Sequence, residues 1–282
     1  MAEKTKKPNI YSGNLKLYQG SKFEQMSSLY GDWKGCNKCQ LADLMKMEVS
    51  SMCAPGEEPS TDIVFGDGNP EADILIVGEA PGEEEVKNSI PFIGPSGNLL
   101  NQLLAMTSSD ESVKKRLKQY NSERRHTEQS TIKFSMDMIE WRQKEFFITN
   151  AVACRPPDNR TPIPPEISAC WERLWNIIYI VDPMIIIACG NSAVAATTRR
   201  KNAKITRERG NLYDVVFDGR LGPVTYPVMP VFHPSYLLRK ADWNTPGGDW
   251  EKTVEDFRRA LGIVDRLRFM NYGTPIPDRR PY

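Results

Sequence analysis

Four short apolar runs punctuate the chain: Asp73-Ile-Leu-Ile-Val-Gly78, Phe146-Phe-Ile-Thr-Asn150, Met184-Ile-Ile-Ile-Ala-Cys-Gly190 and Pro227-Val-Met-Pro-Val-Phe-His233. Residues 74–77 and 184–189 are continuously apolar and do not alternate, as expected of strands buried on both faces of a parallel sheet. Helical spacing fills the intervals. Leu99, Leu100, Leu103 and Leu104 make one stripe after Ser96-Gly97. Ile167, Cys170, Trp171, Leu174, Trp175 and Ile178 recur at i, i+3, i+4, i+7, i+8 and i+11, one buried helical face. Val254, Phe257, Leu261, Val264 and Leu267 mark a last helix. Strand and helix in alternation predict an α/β fold, a three-layer α/β/α sandwich around a four-stranded parallel sheet.

In such sheets ligands bind beyond the carboxyl ends of the strands. Here the first run ends in Gly78-Glu79-Ala80-Pro81-Gly82, the second at Asn150, the third at Gly190-Asn191-Ser192 and the fourth at His233-Pro234-Ser235. A carboxylate, an amide, a glycine turn and an imidazole are thereby predicted to converge on one edge.

Composition narrows the class. The 282 residues suffice for one large core, and the formal net charge of +1 does not mark a nucleic-acid binder in bulk. The basic stretch at 199–209 reads as a solvated surface loop, with contact to phosphates as the alternative. No run is long enough to span a membrane, and MAEKTKKPNIYSG lacks the apolar segment of a secretory signal. The expected setting is therefore cytosolic.

There, cysteines bind metals or do redox chemistry more often than they form disulfides. The chain has six cysteines. Cys36 and Cys39 form a C-x-x-C pair. Cys154 opens the stretch CRPPDNRTPIPPEISAC and Cys170 closes it. Its prolines forbid an ordinary helix or strand before Pro165. Four thiolates suit tetrahedral zinc or one iron–sulfur cluster, and spacing alone leaves both open. Cys189 reads as an ordinary buried residue, and Cys53 has no clear partner.

GEAPG, PFIGPSG, TNAVACRPPDNR and FHPSYLLR, following C-x-x-C in this order, resemble the family-four uracil-DNA glycosylases over roughly residues 36–104 and 146–240. The resemblance implies a 4Fe-4S cluster on Cys36, Cys39, Cys154 and Cys170. It implies an enzyme that flips uracil out of DNA and hydrolyses its N-glycosidic bond, leaving an abasic site for base excision repair. The alternative is a glycosylase-like DNA-binding or replication accessory protein with lost or redirected specificity.

The same resemblance suggests roles for particular residues. Phe92 would stack on the base, Asn150 would read its edge, and His233 would stabilise charge at uracil O2. The bland readings are core packing for Phe92, a turn cap for Asn150 and a structural role for His233. Gly78, Glu79 and Ala80 belong to the first turn. Family four shares the alanine, so the water-placing group is left between nearby carboxylates. Glu85 is expected near the C5 edge, against a thymine methyl. Val86 and Ser89 stand where the family usually has Asp and often Gly. Ser96 and Asn191 are candidates for phosphate at helix starts, Leu237 and Leu238 for a wedge, and Arg239 for a phosphate contact.

Outside the resemblance lie an N-terminal extension (1–35), a charged insertion at about 106–144 and a C-terminal tail (269–282), around a glycosylase-like domain spanning 36–268. The expected partner is uracil-containing DNA, single- or double-stranded. The protein is expected to be a monomer in a prokaryotic or phage-encoded, nucleoid-associated setting. Replication or repair partners would use the insertion or the extension.

Overall fold

The computed structural model describes residues 10–11, 15–52, 63–123, 128–200, 202–219, 222–240 and 245–270. Cys53, Arg124, Arg125, His126 and the tail from 271 onward lie outside the described residues. The chain begins with strand β1 (Ile10–Tyr11), helices α1 (Lys22–Trp33) and α2 (Gln40–Met52), and strand β2 (Asp67–Gly68). Strand β3 (Ile74–Gly78) leads into α3 (Glu83–Asn88), α4 (Pro95–Thr107), α5 (Glu111–Glu123) and α6 (Glu128–Glu145). Strand β4 (Phe146–Asn150) precedes α7 (Pro164–Val181), and β5 (Ile185–Cys189) precedes α8 (Gly190–Thr198) and α9 (Ile205–Glu208). Strands β6 (Tyr213–Gly219) and β7 (Gly222–Val231) come next, then α10 (Pro234–Leu238) and α11 (Asp249–Met270).

The sheet runs β1-β6-β7-β5-β3-β4-β2. Its middle strands β7, β5, β3 and β4 are mutually parallel and coincide with the four apolar runs. The expected four-stranded sheet is thus the centre of a larger mixed one. To this centre β6 adds antiparallel to β7, β2 antiparallel to β4, and β1 parallel to β6. The extra strands escape pattern reading for physical reasons. Two of them are only two residues long. The third, β6, pairs with the part of β7 that precedes the apolar run, where Pro223 argues against a strand because it cannot donate to a ladder.

Side chains alternate between two cores. Leu75, Val77, Phe147, Ile186, Ala188 and Val228 pack toward α1, α2, α7 and α8. Ile74, Ile76, Phe146, Ile148, Ile187 and Met229 pack toward α4, α10 and α11. Burial on both faces explains the unbroken apolar runs. Helix α7 starts where the prolines permit, with Pro164 and Pro165 in the first turn, where a missing amide costs nothing.

The N-terminal extension is part of the sandwich. Ser21 and Glu24 form a capping box at the start of α1, and Met26, Leu29 and Trp33 bury its inner face. The charged insertion is a helical pair. In it α5 and α6 close a small core of Val113, Leu117, Tyr120 and Met138 against Ala105 of α4. Among the described residues no helix is long and apolar enough to cross a membrane.

Candidate active site

The carboxyl ends of β3, β4 and β7 open into one cleft of about 790 Å³. Its walls include Glu79, Ala80, Glu85, Phe92, Ser96, Asn150, His233 and Arg239. Gly78 lies beneath. A Cβ there would strike the Asn150 side-chain oxygen and come within 2.6 Å of the Phe92 ring. Glycine is therefore what lets amide and ring close over the end of β3.

His233 caps α10. Its Nδ1 receives the Ser235 backbone amide at 3.1 Å and lies 2.8 Å from the Ser235 hydroxyl. A backbone amide can only donate, so Nδ1 accepts and the ring proton sits on Nε2. Burial, with repulsion from Arg239, pushes the His233 pKa down to about 4. The imidazole is thus neutral at physiological pH and keeps one N–H donor for the cleft. The Phe92 ring stacks beside it, with centroids 5.7 Å apart and planes inclined by 27°.

Asn150 is buried at the end of β4. Its backbone carbonyl accepts from Arg173 Nη2 at 2.5 Å. Glu79 accepts a hydrogen bond from the Ser192 hydroxyl at 2.6 Å, which orients one carboxylate oxygen and leaves the other. Glu85 is engaged differently. Its Oε2 accepts from the Gly82 amide at 3.1 Å, and its Oε1 accepts from the Ile93 and Gly94 amides at 3.1 and 2.9 Å. The carboxylate faces the cleft but is held by three backbone amides. Gly94, Pro95 and Ser96 bring the amino end of α4 into the wall, where the helix dipole favours an anion.

Two expected contact residues stand elsewhere. Leu237 is only 2% exposed and packs in the core beneath α10, whereas Leu238 is 41% exposed at the cleft. Of the two leucines expected as a wedge, only Leu238 is exposed at the cleft. Helix α10 is a single turn docked on the core, so adjacent leucines face opposite ways. Asn191 does not line the cleft, and its amide oxygen accepts from the Ile205 amide at 2.8 Å. Two cations of the basic stretch are paired within the fold, Arg200 with Glu208 and Arg209 with Asp256, each at 2.7 Å.

Beside the cleft the four cysteines of the C-x-x-C pair and the proline loop gather. Burial raises the Cys154 thiol pKa well above the ordinary range, and negative charge on Cys170, Cys39 and Cys36 raises it further. The Cys154 thiol is therefore held protonated, and it would act as a ligand only when a bound metal displaces that proton. Arg173, one turn after Cys170 on α7, is fully buried, and that burial pulls its pKa down. Its Nε has no hydrogen-bond partner among the described residues. The charges that favour its guanidinium are those of Cys170, Cys154 and Cys36. A buried cation facing sulfurs fits an anionic metal–thiolate group. Among the described residues no group of three or more histidine, cysteine or carboxylate donors stands ready to hold a metal ion.

Polar contacts tie these elements together. Lys38, inside C-x-x-C, pairs with Glu172 of α7 at 2.7 Å and sits 4.0 Å over the Trp33 ring. Buried Glu166 accepts from both Arg160 Nη groups at 2.9 and 2.6 Å, and from Gln40 at 3.4 Å. Pro156, Asn159, Arg160 and Thr161 of the same loop reach the cleft wall.

Arg142 and Arg173, both buried, were not legible as site residues. Each sits among charged neighbours in the sequence. The one available signal was position: Arg142 four residues before a strand, Arg173 three residues after a buried cysteine.

An aromatic face, an amide and a neutral imidazole around one cleft at the carboxyl edge of a parallel sheet have the chemistry of a nucleobase pocket. The family profile described as the uracil DNA glycosylase superfamily matches residues 65–260. The chain is 37% identical over 206 residues to a type-4 uracil-DNA glycosylase of Thermotoga maritima, covering 73% of this chain and 85% of that protein. It is 31% identical over 217 residues to one from Sulfurisphaera tokodaii, covering 75% and 80%. A third, from Archaeoglobus fulgidus, is 26% identical over 218 residues, covering 76% and 84%. The chain belongs to the uracil-DNA glycosylase superfamily and, within it, to the type-4 uracil-DNA glycosylases.

Proposed function

We infer that the protein is a monofunctional DNA glycosylase that removes uracil from DNA and leaves an abasic site. The observation that carries the reading is the neutral His233, its Nε2–H free for the cleft, stacked beside Phe92 and sharing the cleft with Asn150. An extruded uracil stacks on Phe92. The Asn150 amide donates to O4 and accepts from N3–H, a pattern that cytosine reverses, so the wrong base leaves buried polar groups unpaired. His233 donates to O2, where negative charge grows as the C1′–N1 bond breaks. The bond electrons leave with uracil. Glu79, oriented by Ser192, holds the water whose oxygen bonds C1′, and takes its proton. Glu79 is favoured over Glu85 for this role because three backbone amides already occupy the Glu85 oxygens. The amino end of α4 and Arg239 receive flanking phosphates.

Cys36, Cys39, Cys154 and Cys170 would hold a 4Fe-4S cluster. The burial of Cys154 and Cys170, the nearness of half-buried Cys36 and Cys39, and the buried Arg173 beside them support it. When bound, the cluster supplies a rigid cross-link between C-x-x-C, the proline loop and α7. The protein acts as a monomer.

The test is single-turnover excision from an oligonucleotide bearing one uracil, read by alkaline cleavage, beside equilibrium binding. His233→Ala is expected to slow the chemical step on the order of a hundred-fold. DNA affinity should change little, because phosphate contacts supply most of it. Asn150→Asp is expected to weaken excision, since an ionised carboxylate cannot donate to O4. A wild-type protein that binds DNA and releases no uracil would establish the accessory-protein reading instead.

A further inference from the structure

Residues 91–94 form an irregular loop between α3 and α4, and two buried charges of opposite sign grip it. From the insertion, Arg142 of α6 is 1% exposed. Its Nη1 donates to the Phe92 carbonyl at 2.7 Å and to Asn101 Oδ1 at 3.2 Å, and its Nη2 donates to the Pro91 carbonyl at 3.0 Å. From α3, Glu85 Oε1 accepts the Ile93 and Gly94 amides. A cation thus holds the carbonyls of the first half of the loop, and an anion holds the amides of the second half.

Phe92 sits at the junction with φ 56°, a left-handed conformation that a bulky residue ordinarily avoids. Gly97 makes room for it, since a Cβ there would collide with the Phe92 carbonyl. Burial pulls the Arg142 pKa down to about 10, while Asp67 and Glu85 favour its charge. No carboxylate bonds Arg142 directly among the described residues, and backbone carbonyls receive its fork. An arginine kept for packing alone would be an expensive choice at so buried a position. A planar fork that must fix two successive carbonyls explains it.

We propose that Arg142 and Glu85 are positioning residues that preset the Phe92 ring for stacking on the extruded base, which makes the helical insertion a working part of the base pocket. The inference deepens the glycosylase reading above and rests on Phe92 as the stacking platform. Glu85 then acts through the loop it holds.

The test is a double-mutant cycle on single-turnover excision with Arg142→Met, Phe92→Ala and the double variant. Each single change is expected to slow excision roughly ten- to a hundred-fold, the scale of a misplaced reacting group. If Arg142 acts through Phe92, the double variant should fall within about three-fold of Phe92→Ala. Penalties that multiply would overturn the proposal. Arg142→Lys keeps the charge but cannot bridge both carbonyls, and should lie between wild type and Arg142→Met. DNA carrying a tetrahydrofuran abasic analogue presents no base to stack, so every variant should bind it as wild type does. Weaker binding by Arg142→Met would mean general damage and would count against the proposal. Should Arg142→Met fail to fold, Asn101→Ala releases one arm of the fork and enters the same cycle. A Phe92→Ala protein as fast as wild type would remove the stacking role and this inference together, while leaving uracil excision itself established.

Discussion

Two irregular loops line the same cleft and are held in different ways. The loop at 91–94 is gripped from inside the protein, by Arg142 on its carbonyls and Glu85 on its amides. The proline loop that follows Cys154 is fixed at its ends by cysteines and along its length by Arg160 on Glu166 and Arg155 on Asn159. The first is complete once the chain has folded. The second would gain a cross-link at its ends from the proposed cluster. Preorganisation can come from buried charges that hold backbone or from a ligated cross-link, and with that cluster bound one of each would flank the pocket.

The largest expected effect comes from breaking the cross-linked side. Cys154→Ser should abolish iron binding, lower the melting temperature more than any change at 91–94, and lose DNA affinity with activity. Iron content, thermal unfolding and DNA binding read this together. Stoichiometric zinc with no iron in anaerobically purified wild type would refute the cluster.

Next is Arg173→Met, which removes the group standing between the two regimes. Arg173 holds the Phe65 carbonyl at 2.7 Å, Thr149 Oγ1 at 2.9 Å and the Asn150 carbonyl at 2.5 Å, and it faces the cysteines. The change leaves buried acceptors unpaired and is expected to cost about 3 kcal/mol in chemical denaturation. Uracil excision should fall with it, because Asn150 loses its anchor. Unaltered stability would mean that water replaces the guanidinium.

A smaller effect concerns pH. The folded pKa of His233 is depressed from 6.5 to about 4. The unfolded chain takes up a proton at this residue below about 6.5 while the folded chain does not, so stability is lost as pH falls between those values. In excision, His233 stays neutral from pH 8 to pH 5.5. The rate should show no limb near 6.5 that disappears in His233→Gln, and finding such a limb would contradict the neutral-donor mechanism.

The smallest effect is expected on the outer insertion. The amino end of α4 lines the cleft, and its 13 residues carry the chain about 20 Å away before α5 begins. Lys114→Glu with Lys115→Glu should leave the salt dependence of DNA binding unchanged. A flattened slope would put that surface on the phosphates.

By itself the sequence determined the four central strands, because residues buried on both faces must be apolar without interruption. It also determined which residues stand at the strand ends, since Gly78, Asn150, Gly190 and His233 each follow directly from a run. The four cysteines and the helical face bearing Cys170 were legible from spacing and periodicity. Only the tertiary structure decided the edges of the sheet, because the two-residue strands β1 and β2 take their partners from distant chain and β6 extends the sheet only by pairing with the outer half of β7. Only it showed that Leu237 faces the core while Leu238 faces the cleft, a matter of how one helical turn is docked. Only it showed what the charges do. Glu85 was expected to face the base and instead holds loop amides, while Arg142 and Arg173 read as surface charges. Their burial depends on which backbone carbonyls and amides the fold leaves without partners, and that is set by contacts between segments far apart in the chain.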